Sequence, residues 1–150
     1  GNLSNRFDDL GYRIIGVDQS RAMLEVAKAK NPKLKVRLGE FLKLPFENNS
    51  FHGIVSTYAF HHLNDQEKQL ALEEMFRVLV PDGVIVIGDL MFEDEMAKRS
   101  IYQDLTETER LVVEDEYYTL IDVLANWVKK YDKQVNKKQI DRFCWITTIK

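Results

Sequence analysis

Cysteine occurs once in 150 residues, at Cys144, which excludes an intrachain disulfide framework and any zinc site built from several cysteines. Proline and glycine are sparse, at three and seven residues, and no stretch rich in Gly, Pro or Ser marks a linker. No run reaches the roughly 18 apolar residues that suggest a membrane span. The opening segment carries Arg6, Asp8 and Asp9 and does not read as a signal peptide, so a cytoplasmic setting is expected. No internal repeat or low-complexity segment is present. What remains is ordinary for a soluble globular chain, with 45% apolar and 30% charged residues, and this excludes wholesale disorder. A chain of this length suits one domain and buries roughly 68–70% of its unfolded surface, so it needs no staples.

The net charge is −3, but it is unevenly spread. Residues 129–150 hold seven basic and two acidic residues. That +5 leaves −8 for residues 1–128. A basic end is either a nucleic-acid footprint or the solvent face of a terminal hairpin. Lys129, Lys130, Lys133, Lys137 and Lys138 lack the aromatic interleaving of single-strand binders. The rest of the molecule is acidic, which disfavours a phosphate backbone as its main partner.

Along the chain, helix-like and strand-like stretches alternate. Residues 2–10 fit a helix stopped at Gly11. Tyr12 to Val17 is a short β-prone run ending at Asp18. Ser20 caps a helix that runs to Asn31-Pro32, and a weaker strand covers Lys35–Gly39. Glu47-Asn48-Asn49-Ser50 signals a turn before a strand over Phe51–Tyr58. Asn64 and Glu67 form a capping-box pattern, and Leu72, Met75, Phe76 and Leu79 then mark one helical face. Pro81-Asp82-Gly83 stops that helix. Val84–Gly88 reads as a strand covered on both faces. Residues 1–90 therefore read as α-β-α-β-β-α-β, with room for a short helix between the middle strands, which predicts a largely parallel sheet wrapped by helices. From Phe92 to about Tyr131 the pattern is helical and amphipathic. Val135–Ile140 and Phe143–Ile149 predict a terminal antiparallel hairpin closing the sheet edge.

In open α/β sheets, ligands bind beyond the carboxyl ends of the strands. Polar residues fall there: Asp18, Glu40, Tyr58 to His62, and Asp89 close or follow the four strands. Singly, an acidic residue after a strand is more often a helix cap or a solvated loop residue. It is the convergence of four strand ends on one rim that points to a site. Asp18, after Gly16-Val17, has the position from which a carboxylate accepts both ribose hydroxyls of an adenosine-containing cofactor. Such charged hydrogen bonds are worth about 1.5–3 kcal/mol each. Met23 lies either against an adenine face or in the core. Glu40 is placed to accept the adenine amino group, with the backbone of Phe41 pairing a ring nitrogen.

His61 and His62 are adjacent, so on an extended segment they point to opposite sides. No Asp, Glu or Cys sits at a spacing that completes a zinc site, so no metal site is expected. His62 is a candidate general base, with a structural histidine as the plain alternative. His52 falls at the wrong end of its strand, and Cys144 reads as core.

These residues resemble the class I S-adenosylmethionine-dependent methyltransferases of the type 11 group. The matching pieces are Gly16-Val17-Asp18-Gln19-Ser20, Gly39-Glu40-Phe41 with Leu44-Pro45-Phe46, Phe60-His61-His62-Leu63, and Arg77-Val78-Leu79-Val80-Pro81-Asp82-Gly83. Ile54 to Leu63, Glu116-Tyr117-Tyr118-Thr119 and the Trp145 tail are similar to the YrrT-like group of uncharacterised bacterial methyltransferases, over nearly the whole chain. The resemblance implies an α/β fold with a Rossmann-like, open, mostly parallel sheet, helices on both faces and a C-terminal antiparallel hairpin. It also implies a single domain over residues 1–150 with a helical lid over 92–118. It makes Gly1 the last glycine of a glycine-rich motif, so the domain is expected to be N-terminally incomplete, with its first central strand absent from this chain.

By position, the resemblance implies a cofactor set of Gly1, Asp18, Gln19, Met23, Glu40, Phe41, Ser56 and Tyr58. Asp18 takes the ribose, Glu40 lies near the adenine, and Ser56 and Tyr58 lie beside the methionine part. His62 is the catalytic base, and His61, Tyr117 and Tyr118 face the acceptor. Three positions depart from the family pattern: Glu40 for Asp, His52 for Asp, and Asp82 for Gly, where a strained backbone is expected. The implied activity is transfer of a methyl group from S-adenosyl-L-methionine to a small-molecule acceptor, leaving S-adenosyl-L-homocysteine. Two alternatives stand beside it: a nicotinamide-dependent oxidoreductase, and a non-catalytic binding module. A nucleic-acid or protein acceptor is a further possibility.

Overall fold

Side-chain caps at Ser20, Asn64, Asp94 and Thr106 open four of the helices. The computed structural model describes residues 2–150, and Gly1, expected in the cofactor set, lies outside them. The chain divides into two compact units, one ending at Phe46 and the other spanning Glu47–Lys150.

In the first unit, helix α1 (Asn2–Asp9) ends ahead of Gly11. That glycine has a φ of 82°, the left-handed conformation that closes many helices. Strands β1 (Ile15–Asp18) and β2 (Lys35–Leu38) pair in parallel, with Asp18 beside Leu38. Parallel neighbours need a crossover, and helix α2 (Arg21–Lys30) supplies it, capped by the Ser20 side chain on the Met23 N–H at 3.3 Å. After β2 the sequence leaves room for a short helix, but none forms. Residues 40–43 instead close a tight turn, with Glu40 bridged to Lys43. Pro45 disfavours helical geometry at the residue before it, and its ring lies where a side chain on residue 39 would stand. A Cβ on Gly39 would lie 2.6 Å from Pro45 Cδ and 3.1 Å from Val17 Cγ1. Glycine at 39 thus lets the chain fold back onto the end of β1.

The second unit runs β3 (Phe51–Thr57), a 3₁₀ turn (Phe60–His62), α3 (Asp65–Val78) and β4 (Leu79–Phe92), then α4 (Glu95–Gln103) and α5 (Glu107–Glu114). It continues with β5 (Thr119–Leu120), α6 (Ile121–Val128), β6 (Val135–Gln139) and β7 (Cys144–Ile149). The sheet order is β3-β4-β7-β6, with β5 also on β4. β3 and β5 lie parallel to β4, whereas β7 is antiparallel to both β4 and β6. The sheet is therefore mixed, with the predicted hairpin at its edge. β5 has no counterpart in the sequence reading, because two residues carry no periodicity.

The capping box of α3 is complete: Asn64 Oδ1 accepts the Glu67 N–H at 3.0 Å, and Glu67 Oε2 accepts the Asn64 N–H at 2.9 Å. Its inner face buries Ala71, Leu72, Met75 and Val78, with Phe76 half-buried, and Leu79 is already the first residue of β4. Full burial of Leu72, Met75 and Val78 contributes roughly 1.5–3 kcal/mol each. β4 is not equally covered on its two faces as expected. Ile85, Ile87, Asp89 and Met91 are buried, and the residues between them are only half-buried.

The strain expected at Asp82 is absent. Among the described residues, only Asn49, Tyr58 and Asp132 combine a positive φ with a side chain. A shift of register between Phe51 and Gly53 absorbs the extra residues around Pro81. Gly83 is held to glycine by space, since a Cβ there would sit 2.8 Å from Leu79 Cδ2.

Phe92, Leu105 and Val113 form a small core of their own, with Tyr102, Tyr118 and Phe143 packed against it. At the basic end, Lys130 pairs with Glu73 at 2.9 Å and Lys137 with Glu93 at 2.7 Å. Among the described residues, no helix is long and apolar enough to cross a membrane.

Candidate functional site

The first unit groups its polar residues at the carboxyl ends of β1 and β2. Asp18 is half-buried, and its Oδ1 accepts the Ser20 N–H at 2.8 Å. The Asp18 carbonyl accepts the Gly39 N–H at 3.2 Å. This bond ties the two strand ends together and sets Glu40 just beyond them. Gln19 and Glu40 are exposed, and Phe41 is half-buried. Met23 is 57% exposed, so core packing does not account for it. The donor set here is a carboxylate beside a helix N-terminus, with a second carboxylate one strand away.

In the second unit, the turn after β3 is organised by a carboxylate from β4. Asp89 is buried, and its Oδ2 accepts three consecutive backbone N–H groups: Ala59 at 3.2 Å, Phe60 at 2.7 Å and His61 at 3.1 Å. Three successive amides turned inward make an anion nest. Its Oδ1 accepts the Leu90 N–H at 2.8 Å and is also bonded to His61 Nδ1. The bond to a carboxylate fixes the orientation of the imidazole ring. Tyr58 opens the turn with a φ of 49° and is 59% exposed. Its hydroxyl lies 3.4 Å from Cys144 Sγ, and this contact, with nearby acidic groups, raises its pKa. A residue with a side chain in this region is uncommon and often functional. Ser56 Oγ, near the end of β3, is buried without a hydrogen-bond partner among the described residues.

The two histidines do not diverge as an extended segment requires. They occupy a 3₁₀ turn, which brings their rings to 4.1 Å between centroids, tilted by 54°. His61 is buried and His62 exposed. Glu116, which no local spacing could reveal, reaches His62 Nδ1 at 2.9 Å. His61, His62 and Glu116 thus form a cluster of potential ligand groups, where the sequence reading expects none. His52 lies exposed at the opening of β3, and Cys144 is buried in β7.

The segment carrying Glu116 is pinned to this turn. The Tyr117 N–H donates to the His61 carbonyl at 2.9 Å, and the Lys68 ammonium donates to the Tyr117 carbonyl. Lys68 is fully buried on α3. Burial lowers its pKa, against the opposing pull of Asp65 and Asp89. Tyr117 is exposed, while Tyr118 packs at 5.5 Å from the Phe92 ring and edge-on to Phe143. Burial and neighbouring carboxylates raise the Tyr118 pKa.

Sequence reasoning missed Lys68 and Glu116 as site residues and noted Asp89 only as a strand end. Lys68 left a signal: it precedes Leu72 and Met75 by four and seven residues and so shares their buried face.

A family of sequences described as "Methyltransferase domain" matches residues 1–87. An uncharacterized methyltransferase of Oceanobacillus iheyensis is 39% identical over 155 residues, covering 100% of this chain and 72% of its own length. Among solved structures, the PH0226 protein of Pyrococcus horikoshii OT3 superposes with a TM-score of 0.76 at 18% identity, over 99% of this chain and 76% of that one. A 1,6-didemethyltoxoflavin-N1-methyltransferase of Burkholderia thailandensis, solved with 1,6-didemethyltoxoflavin and S-adenosylhomocysteine, gives 0.70 at 15% identity, over 99% of this chain and 65% of that one. At such identities the structures speak for the shared α/β fold.

Proposed function

The chain belongs to the methyltransferase-domain family and is an S-adenosylmethionine-dependent methyltransferase; on that premise we propose that its acceptor is a small molecule, methylated by in-line displacement. The observation that carries this reading is the Asp89-held turn, which sets Tyr58, His61 and His62 at the carboxyl end of β3.

The chain's groups suit the cofactor chemically. Asp18 has one carboxylate oxygen bound to Ser20, and its other oxygen would accept from the ribose hydroxyls. Glu40 would take the adenine amino group, beside the backbone of Phe41, with Gln19 and Met23 flanking the nucleoside. In the second unit, the Ser56 hydroxyl, unpartnered among the described residues, and Tyr58 would hold the methionine part. The cofactor supplies the sulfonium methyl group, and its neutral thioether leaving group needs little covalent assistance. Alignment of acceptor and methyl is the main task, and proximity can contribute about 7–11 kcal/mol.

His62 would take a proton from an acceptor that arrives protonated. It is exposed, with Nδ1 against Glu116 at 2.9 Å, an arrangement that orients the ring. Tyr117 would face the acceptor, with Tyr118 packed beneath and His61 behind. Residues 92–118 would act as a lid over it.

A screen of small metabolites for release of S-adenosylhomocysteine tests the reading; no turnover with any small acceptor, but turnover with RNA or protein, would replace it. With an acceptor in hand, His62→Ala should lower kcat by roughly 100-fold or more and leave cofactor affinity unchanged. Equal loss of both would make His62 structural.

A further inference from the structure

The residues that would flank the acceptor in the second unit also make a set of metal-ligand groups, and a cation held by His62 would take the place of its use as a base. We propose that His61, His62 and Glu116 form a binding site for a divalent transition-metal cation of the zinc type. One ligand atom from each lies within 4.8 Å of the others. Two imidazoles and a carboxylate are a recurrent three-ligand set for zinc that leaves one position open.

The geometry around the ligands favours a cation. His61 is buried, and its Nδ1 is bonded to Asp89. This is the outer-shell arrangement that fixes an imidazole's tautomer and directs its other nitrogen at a metal. Asp89 is held in turn by four backbone N–H groups, so the His61 ring is locked before any ion arrives. Zinc–ligand bonds of about 2.0–2.2 Å require the three donors to close in slightly. The adjustable members are the ones free to do so: the side chains of His62 and Glu116 are 59% and 28% exposed. Asp89 and Glu116 contribute two negative charges, and the Lys68 ammonium opposes only one of them. Two nitrogens in the set favour zinc, cobalt or nickel over magnesium and calcium, which take oxygen ligands.

Isothermal titration of the full chain with Zn²⁺, without cofactor or acceptor, tests the site directly. One equivalent should bind, and Mg²⁺ should not compete. His62→Ala and Glu116→Gln, both at exposed or half-exposed positions, should each weaken binding roughly tenfold or more while thermal melting shows them folded. His52→Ala, at the opposite end of β3, should bind like the parent. Absence of stoichiometric Zn²⁺ binding, equal affinity in the His62 and Glu116 variants, an equal loss in His52→Ala, or effective competition by Mg²⁺ would each overturn the proposal. Because the titration contains no methyl donor, its failure leaves the methyl-transfer reading untouched, and failure of that reading leaves the metal site standing.

Discussion

At the residue scale, Asp89 shows why a buried charge can be tolerated in a strand. A carboxylate without partners would be costly there, but this one accepts four backbone N–H groups and an imidazole, and charged hydrogen bonds of this kind contribute about 1.5–3 kcal/mol each. Asp18 differs in having, among the described residues, a single backbone donor, the Ser20 N–H, which leaves it capacity for a ligand. Asp18→Ala should therefore weaken S-adenosylhomocysteine binding at least tenfold, or about 1.4 kcal/mol. Calorimetry on the two proteins measures this, and unchanged affinity would remove Asp18 from the cofactor set. Asp18 was readable in advance because the end of a strand before a helix cap is a position with known chemistry. Asp89 was readable only as a strand end, since its five partners exist only in the fold.

At the scale of elements, the buried Lys68 holds α3 against the segment before β5 through the Tyr117 carbonyl. Lys68→Met keeps the length of the side chain and removes a desolvated charge, so global stability should change little. The Tyr117 segment should loosen all the same, because its carbonyl loses its donor. Hydrogen exchange should show faster exchange at the Tyr117 amide, and unaltered exchange would mean that Lys68 merely fills space.

The hairpin between β6 and β7 rests on Asp141, whose carboxylate accepts the Cys144 N–H at 2.7 Å and the Phe143 N–H at 2.9 Å. These two bonds hold its pKa below the ordinary Asp range. A depressed carboxyl pKa contributes stability above its unfolded value and loses it as pH falls through the folded one. The parent should thus be more stable than Asp141→Ala in urea near neutral pH, and the gap should close below about pH 3. A gap independent of pH would mean that the charge is not what matters. Both hairpin strands were legible from their β-branched and aromatic residues. The Lys68 contact spans 49 residues and had only its helical spacing as a sign.

At the scale of the whole molecule, the family accounts for the order of elements and the cofactor class. A ligand that binds only the folded chain raises its stability by about 2.7 kcal/mol at 100 times its Kd. Saturating S-adenosylhomocysteine should raise the melting temperature, and NADH should not. The reverse result would favour the nicotinamide alternative. The basic end is engaged in ion pairs with Glu73 and Glu93, and Lys133 donates to the Pro81 carbonyl at 2.8 Å. These contacts agree with a solvent face of the hairpin.

What the sequence determined by itself were the features with local causes. Helix starts at Ser20 and Asn64 follow from side chains satisfying nearby amides, and strands follow from apolar runs between turn residues. The close packing at Gly39 and Gly83 has no counterpart in the sequence reading, because the atoms that exclude a Cβ there belong to Pro45, Val17 and Leu79 in the folded chain. Tertiary structure alone decided the pairing of distant charges. His61 and His62 came together because Asp89 winds their backbone into a 3₁₀ turn, and Glu116 joined them across 54 residues. Periodicity encodes which face of an element is buried, but not which distant polar group will meet it there. That choice depends on where the intervening helices carry the chain.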